Sequence, residues 1–277
     1  MSRFAYVNGA YRPLSDAAVH IEDRGYQFGD GVYEVVLVRG GKLYDFEGHM
    51  QRLGRSLSEI EIAPPVSDAV LKMIIKRLIR LNGLRNGILY LQITRGVARR
   101  DHKFPKDVNA SLVLTTKHLQ VATETNGKSA ITVPDQRWSR RDIKTIQLLP
   151  NCLAKQAASE QGAFEAIMVM PDGTITEGSS SNLWMVSDKN TVITRPANAD
   201  ILNGITRLAL ARIGADRQIK IEERAFTVDE ALSAKELFVS SATSAAMPII
   251  ELDGHKIGNG QPGDITMALR AAYLNME

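Results

Sequence analysis

A polar, aperiodic stretch at 117–130, carrying the turn pair Asn126-Gly127, cuts this chain into two halves, and each half mixes strand and helix patterns. That mixture constrains the fold most, because neither a bundle nor a sandwich is written this way; the class is α/β or α+β. The chain has 277 residues, long for one core and comfortable for two. We expect a smaller N-terminal domain, 1–118, and a larger C-terminal domain, 119–277.

In the first half, 4–8 and 31–46 read as strands, with Gly40-Gly41 as a hairpin turn. Met50, Leu53, Leu57 and Ile60 then recur at helical spacing within 46–60. Pro64-Pro65 ends that segment. Ser67 and Asp68 can cap a second helix, which Asn82-Gly83 stops. Two strands follow, 88–94 and 110–116, around a loop at 95–109 rich in Arg and Lys. In the second half, strands are expected at 131–133, 165–170, 183–187 and 236–241, and helices at 151–161, 204–214 and 228–233.

The formal net charge is +3, too small to argue for nucleic acid. Cys152 is the one cysteine, so an internal disulfide is excluded; it reads as a small buried apolar residue in a reducing compartment. No run approaches the roughly 20 apolar residues of a membrane span, and the N-terminus lacks a signal-like apolar run. A cytoplasmic protein with no membrane partner, no nucleic-acid partner and no metal is the expectation. His20, His49, His118 and His255 have no local context and read as structural or exposed.

Three segments carry candidate chemistry. Lys144 stands in Arg140-Arg141-Asp142-Ile143-Lys144-Thr145. Glu177 precedes a glycine and three serines in Thr176-Glu177-Gly178-Ser179-Ser180-Ser181-Asn182, a turn suited to close approach by a ligand. Leu202-Asn203-Gly204-Ile205-Thr206-Arg207 leads into an apolar helix, whose first N–H groups and the Thr206 hydroxyl can cradle an anion. Each is ordinary when taken alone.

Taken in order, these segments resemble the class IV (fold-type IV) pyridoxal-phosphate enzymes, the group of branched-chain and D-amino-acid aminotransferases. The resemblance covers nearly the whole chain and includes Glu22-Asp23-Arg24-Gly25-Tyr26-Gln27-Phe28-Gly29-Asp30-Gly31-Val32-Tyr33-Glu34. It implies a two-domain fold and pyridoxal 5'-phosphate as cofactor. It implies that Lys144 forms the Schiff base and shuttles the proton, and that Glu177 pairs with the pyridine nitrogen. Arg52 and the amides of Ile205 and Thr206 would hold the phosphate, with Leu202, Ser181 and Ala242 also at the cofactor.

The chemistry is consistent with those roles. A free lysine amine, with a pKa of about 10.4, must lose its proton to condense with an aldehyde. A carboxylate beside the ring nitrogen favours the protonated ring, which is the better electron sink.

Ala242 departs from the family, which often has a threonine there; Thr243 or Ser241 would have to compensate. Tyr33 and Arg100-Asp101-His102 resemble the carboxylate grip of the D-amino-acid subgroup, with Thr243 also expected at the substrate. A D-amino acid and a 2-oxo acid are then the implied substrates, and a homodimer the implied assembly. The alternatives on the same scaffold are a branched-chain L-aminotransferase, an (R)-amine transaminase and an aminodeoxychorismate lyase.

Overall fold

The computed structural model describes residues 3–119 and 126–275. The chain divides into two compact units, Met1–Val121 with Ile143–Gln147, and Ala122–Asp142 with Leu148–Glu277. The expected boundary at 117–130 falls partly on 120–125, outside the described residues. The segment that carries Lys144 was expected with the C-terminal half; 143–147 instead packs with the N-terminal unit.

The N-terminal unit is built from β1 (Phe4–Val7), β2 (Ala10–Pro13), α1 (Arg24–Phe28), β3 (Gly31–Arg39), β4 (Lys42–Leu43), α2 (Phe46–Glu59), α3 (Asp68–Leu81), β5 (Gly87–Thr94) and β6 (Ser111–His118). Its six strands form one antiparallel sheet in the order β2-β1-β6-β5-β3-β4. Two amphipathic helices supply its core. Leu53 and Leu57 of α2, with Leu71, Ile74, Ile75, Leu78 and Ile79 of α3, pack with Val32, Val36, Leu89, Leu91 and Ile93. Ser67 caps α3 by accepting the Val70 N–H, as its position before the apolar run predicts. Ile75 and Leu78 have no solvent exposure, and truncating either to alanine should cost about 2–5 kcal/mol.

The C-terminal unit comprises β7 (Lys128–Pro134), α4 (Leu149–Glu160), β8 (Glu165–Val169), β9 (Ile175–Gly178), β10 (Asn182–Val186), β11 (Val192–Thr194), α5 (Ile205–Asp216), β12 (Ile221–Glu223), α6 (Val228–Leu232), β13 (Glu236–Ser241), β14 (Ala245–Leu252), β15 (His255–Lys256) and α7 (Asp264–Leu274). Its mixed sheet runs β12-β11-β10-β13-β14-β7-β8-β9, with β15 on β14. β10 and β13 are covered on both faces. Leu183, Met185, Leu237 and Val239 face one cluster with Phe226, while Trp184 and Phe238 face another with α5 and α7. Burial on both sides explains why these strands read as unbroken apolar runs.

Several elements escape sequence periodicity, and β14 and α7 are the longest of them. β14 contains Pro248, which argues against a strand interior. α7 follows Gly263, which offers no side-chain cap. Cys152 corrects an expectation: it is exposed on α4, not buried.

Candidate active site

Lys144 is held in place by its backbone. Its carbonyl accepts the Tyr33 N–H at 3.0 Å, and the Ile146 N–H reaches the Gly31 carbonyl at 3.1 Å. The segment 143–147 thus lies along the start of β3. Gly31 is required there, because a Cβ would meet the Ile93 carbonyl oxygen at 2.6 Å. The Lys144 Nζ sits 4.2 Å from the centre of the Tyr33 ring, and among the described residues it has no carboxylate partner.

Arg52 lies on α2 in the same unit. Its Nε and one terminal nitrogen bind Glu34 at 2.8 and 2.7 Å, a bidentate pair, and His49 Nδ1 lies 2.7 Å from Glu34 Oε2. Glu34 is fully buried on β3. Burial alone would raise its carboxyl pKa, but the hydrogen bonds and charges of Arg52 and His49 outweigh burial and pull it to about 2. Arg52 therefore has a fixed orientation. Sequence reasoning missed Glu34 and treated His49 as unremarkable; the signal was the three-residue spacing of His49 and Arg52 on one helix face.

The loop bearing Arg100 and His102 packs on the ring of Phe28. The Arg100 guanidinium lies 4.6 Å from that ring's centre, and the His102 ring 5.5 Å away. Arg24 lies on the same ring at 4.7 Å and donates to the Asp101 carbonyl at 2.6 Å. Asp30 anchors this corner through ion pairs of 2.8 Å to both Arg24 and Arg95. Arg100 and His102 are solvent-exposed, and their aromatic and cation contacts within the chain are to Phe28, not to Tyr33. Tyr33 instead stacks on Tyr90 at 5.8 Å.

In the C-terminal unit, Glu177 accepts from Arg137, Asn182 and Leu202. Arg137 approaches Oε1 at 2.5 Å, the Asn182 amide reaches Oε2 at 2.9 Å, and the Leu202 N–H lies 3.1 and 3.2 Å from the two oxygens. Leu202 thereby serves Glu177 directly. The serines have another task than the ligand contact expected of them. Ser179 and Ser181 donate to the buried Glu165 at 2.5 and 2.7 Å, so the Ser181 hydroxyl braces its own turn.

Helix α5 begins at Ile205 and Thr206, with Gly204 at its N-cap and no side chain capping it. A Cβ at Gly204 would collide with the Asn182 amide, so glycine is needed to bring this helix start against the Glu177 turn. Thr206 has its hydroxyl 3.3 Å from that of Tyr273. Ala242 and Thr243 lie in the turn joining β13 to β14. There Ser241 accepts the Ser244 N–H at 3.2 Å and stands 3.4 Å from the Thr243 hydroxyl. Those two hydroxyls hold the turn.

Among the described residues, no helix is long and apolar enough to cross a membrane, and no cluster of three or more His, Cys, Asp or Glu is placed to hold a metal ion.

Residues 31–252 match the family model described as amino-transferase class IV. A D-alanine aminotransferase of Bacillus licheniformis is 43% identical over 270 residues, covering 97% of this chain and 95% of that relative. Another, from Staphylococcus aureus (strain MSSA476), is 40% identical over 276 residues, with the same coverage of both. Among solved structures, a T.th. branched-chain amino acid aminotransferase with pyridoxamine 5'-phosphate matches with a TM-score of 0.91, covering 99% of this chain and 93% of that one. At 22% identity it attests the fold.

Class IV aminotransferases use pyridoxal 5'-phosphate, and the donor set here fits that group. In the N-terminal unit Lys144 offers an amine and Arg52 a guanidinium fixed by Glu34; in the C-terminal unit α5 offers an N-terminus with no side-chain cap, and Glu177 a carboxylate oriented by Arg137, Asn182 and Leu202. By its family match over most of its length and its full-length relatives, the chain belongs to the class IV aminotransferases.

Proposed function

We propose that this protein is a D-amino-acid aminotransferase, passing an amino group between a D-amino acid such as D-alanine or D-glutamate and a 2-oxo acid. The observation that carries this reading is near-full-length identity of 43% to a protein named as a D-alanine aminotransferase. Tyr33, Arg100 and His102, the residues matching that subgroup's carboxylate grip, support it. Their donors suit a carboxylate, for which arginine offers a fork and the phenol and imidazole single donors.

Pyridoxal 5'-phosphate, when bound, supplies an aldehyde that takes up the amino group and a ring that accepts the electron pair left at Cα. The chain's own residues do the rest. Lys144 would hold the cofactor through its Nζ in the resting enzyme and, once freed by the amino donor, would carry the proton between the substrate Cα and the cofactor, in one direction in each half-reaction. Glu177 keeps the proton on the ring nitrogen. Arg52 and the N–H groups of Ile205 and Thr206 bind the phosphate, with Ala242 offering only its backbone. We place the enzyme in the cytoplasm as a homodimer, in which Arg100 and His102 serve the neighbouring copy's substrate; that assignment explains why they turn away from Tyr33 within one chain.

The test is a panel of amino donors given to the purified holoenzyme with a 2-oxo acid acceptor. D-alanine should yield pyruvate, with L-leucine and (R)-amines giving little product. Turnover of L-leucine with none of D-alanine would move the protein to the branched-chain reading. Arg100→Ala should weaken D-alanine far more than a carboxylate-free (R)-amine.

A further inference from the structure

Glu177 is the last member of an alternating chain of charges. Arg195 pairs with Asp200 at 2.8 Å, and Asp200 lies 3.7 Å from Arg141. Arg141 Nε stands 3.1 Å from Asp135 Oδ2, and that same oxygen is 2.8 Å from Arg137, whose other terminal nitrogen reaches Glu177 at 2.5 Å. Three carboxylates and three guanidiniums alternate, so the string is neutral as a whole. The Asp200 side chain is 31% exposed, whereas those of Arg141, Asp135, Arg137 and Glu177 are all buried.

Arg137 is the key link. Asp135 holds it through Nε at 3.0 Å and a terminal nitrogen at 2.8 Å, and the Thr176 hydroxyl lies 3.3 Å from it. Burial works against the charge on Arg137, but Asp135 and Glu177 outweigh that and raise its pKa. Burial likewise opposes ionisation of Asp135, and Arg137 outweighs it, holding the carboxyl at about 2. A guanidinium fixed in this way cannot swing off Glu177 when the carboxylate's other side is engaged.

We propose that Arg137 is a positioning residue that makes Glu177 a weak base, so that a proton shared between Glu177 and the cofactor's ring nitrogen stays on the nitrogen. The inference rests on the reading that Glu177 faces that nitrogen. Its physical basis is that a cation in hydrogen-bond contact with one carboxylate oxygen lowers the proton affinity of the whole group. Without Arg137, the carboxylate would pull the proton back, and the ring would lose its power to accept electrons. Asn182 and the Leu202 N–H orient Glu177 but bring no charge to it, so neither can replace the guanidinium.

The experiment loads the enzyme with pyridoxal 5'-phosphate labelled with nitrogen-15 in the ring and reads the ring-nitrogen resonance, which reports protonation independently of turnover. Glu177→Gln serves as the reference, moving the signal toward that of the unprotonated ring. Arg137→Met should move it in the same direction, and Arg137→Lys should remain near the wild-type position. kcat should fall about 10–100-fold in Arg137→Met with KM changed less than about 3-fold, as expected for loss of one charge-assisted contact. Circular dichroism checks that each variant is folded, and Arg137→Gln replaces Arg137→Met if the latter is not. A wild-type resonance in a folded, uncharged Arg137 variant, with Glu177→Gln shifted, overturns the proposal alone. An unshifted resonance in Glu177→Gln overturns both the proposal and the reading beneath it.

Discussion

The Glu34–Arg52 pair of the N-terminal unit and the Arg137–Glu177 pair of the C-terminal unit are built from the same two side-chain types, with the roles exchanged. In the first, the carboxylate is fully buried and braced a second time by His49, and the arginine is the member that the proposed function assigns to binding. In the second, the arginine is braced by Asp135, and the carboxylate is the member so assigned. An isolated buried ion pair contributes little net stability, since desolvation offsets attraction. What the third group adds is direction: it fixes one member and thereby aims the other. The comparison teaches that the polarity of a buried pair is decided by its bracing residue, not by the pair itself.

The largest effect tests whether either pair performs chemistry. Lys144 belongs to neither. Lys144→Ala should lower kcat by about 10³-fold or more, the scale of a lost nucleophile and proton carrier. Melting should be changed little, because the segment is held by backbone contacts to β3. Appreciable residual turnover would mean that one of the braced pairs can move the proton, and the division between bracing and chemistry would break.

Arg52→Met comes next. If Arg52 is the presented member, its loss should weaken binding of pyridoxal 5'-phosphate by about 10–150-fold, the worth of a charge-assisted hydrogen bond. It should also destabilise the apoenzyme by about 3 kcal/mol, because Glu34 is left buried without its guanidinium partner and with His49 beside it. The double variant Glu34→Gln/Arg52→Met should regain much of that stability and none of the affinity. Fluorescence titration with the cofactor and thermal melting separate the two quantities. Recovery of affinity in the double variant would show that Glu34 is more than a brace.

These roles were unequally legible in the sequence. Lys144, Glu177, Arg52, Tyr33 and the Gly204 turn could be singled out as candidates, because each sits in a motif that is contiguous in sequence or carried by an amphipathic helix. Helices α2 and α3 and strands β5 and β6 emerged for the same reason, as period and caps are local properties. The braces were not found. Arg137 reaches Glu177 across 40 residues and Glu34 meets Arg52 across 18, and no local pattern encodes such pairings. The three serines misled, since a hydroxyl suited to a ligand is equally suited to a buried acid such as Glu165. The placement of the Lys144 segment also depended on the tertiary fold, because five residues leave one unit to line β3 in the other.

Acid sharpens the comparison by titrating the two braced clusters. Glu34 falls from 4.5 to about 2 and Asp135 from 3.8 to about 2. Both folded-state values lie below the unfolded ones. Each therefore contributes stability that is present above its ordinary pKa and is lost as pH falls through that range toward 2. Glu34, with the larger shift, should contribute roughly 3 kcal/mol and Asp135 about 2 kcal/mol or less. Melting profiles between pH 5 and 2 should accordingly flatten more in Glu34→Gln than in Asp135→Asn. The reverse order would place the stiffer brace in the C-terminal unit.

The smallest effect concerns a donor that is missing. In the proposed function Arg52 brings charge to the phosphate and α5 brings backbone N–H groups, and the turn at 241–244 has alanine where the family often has threonine. Ser241 accepts the Ser244 N–H, and its hydroxyl faces that of Thr243, so both hydroxyls already have partners within the turn. Ala242 is half-buried in this turn, and a threonine there adds one hydroxyl without disturbing either contact. Ala242→Thr should therefore tighten cofactor binding about 3–10-fold, the value of one neutral hydrogen bond. The gain should be similar in the Arg52→Met background, because a neutral donor and a braced guanidinium act on the same phosphate additively unless they share an oxygen. A markedly larger gain there would mean that the two donors compete, and that the wild-type enzyme does without the hydroxyl because its brace already holds Arg52 in place.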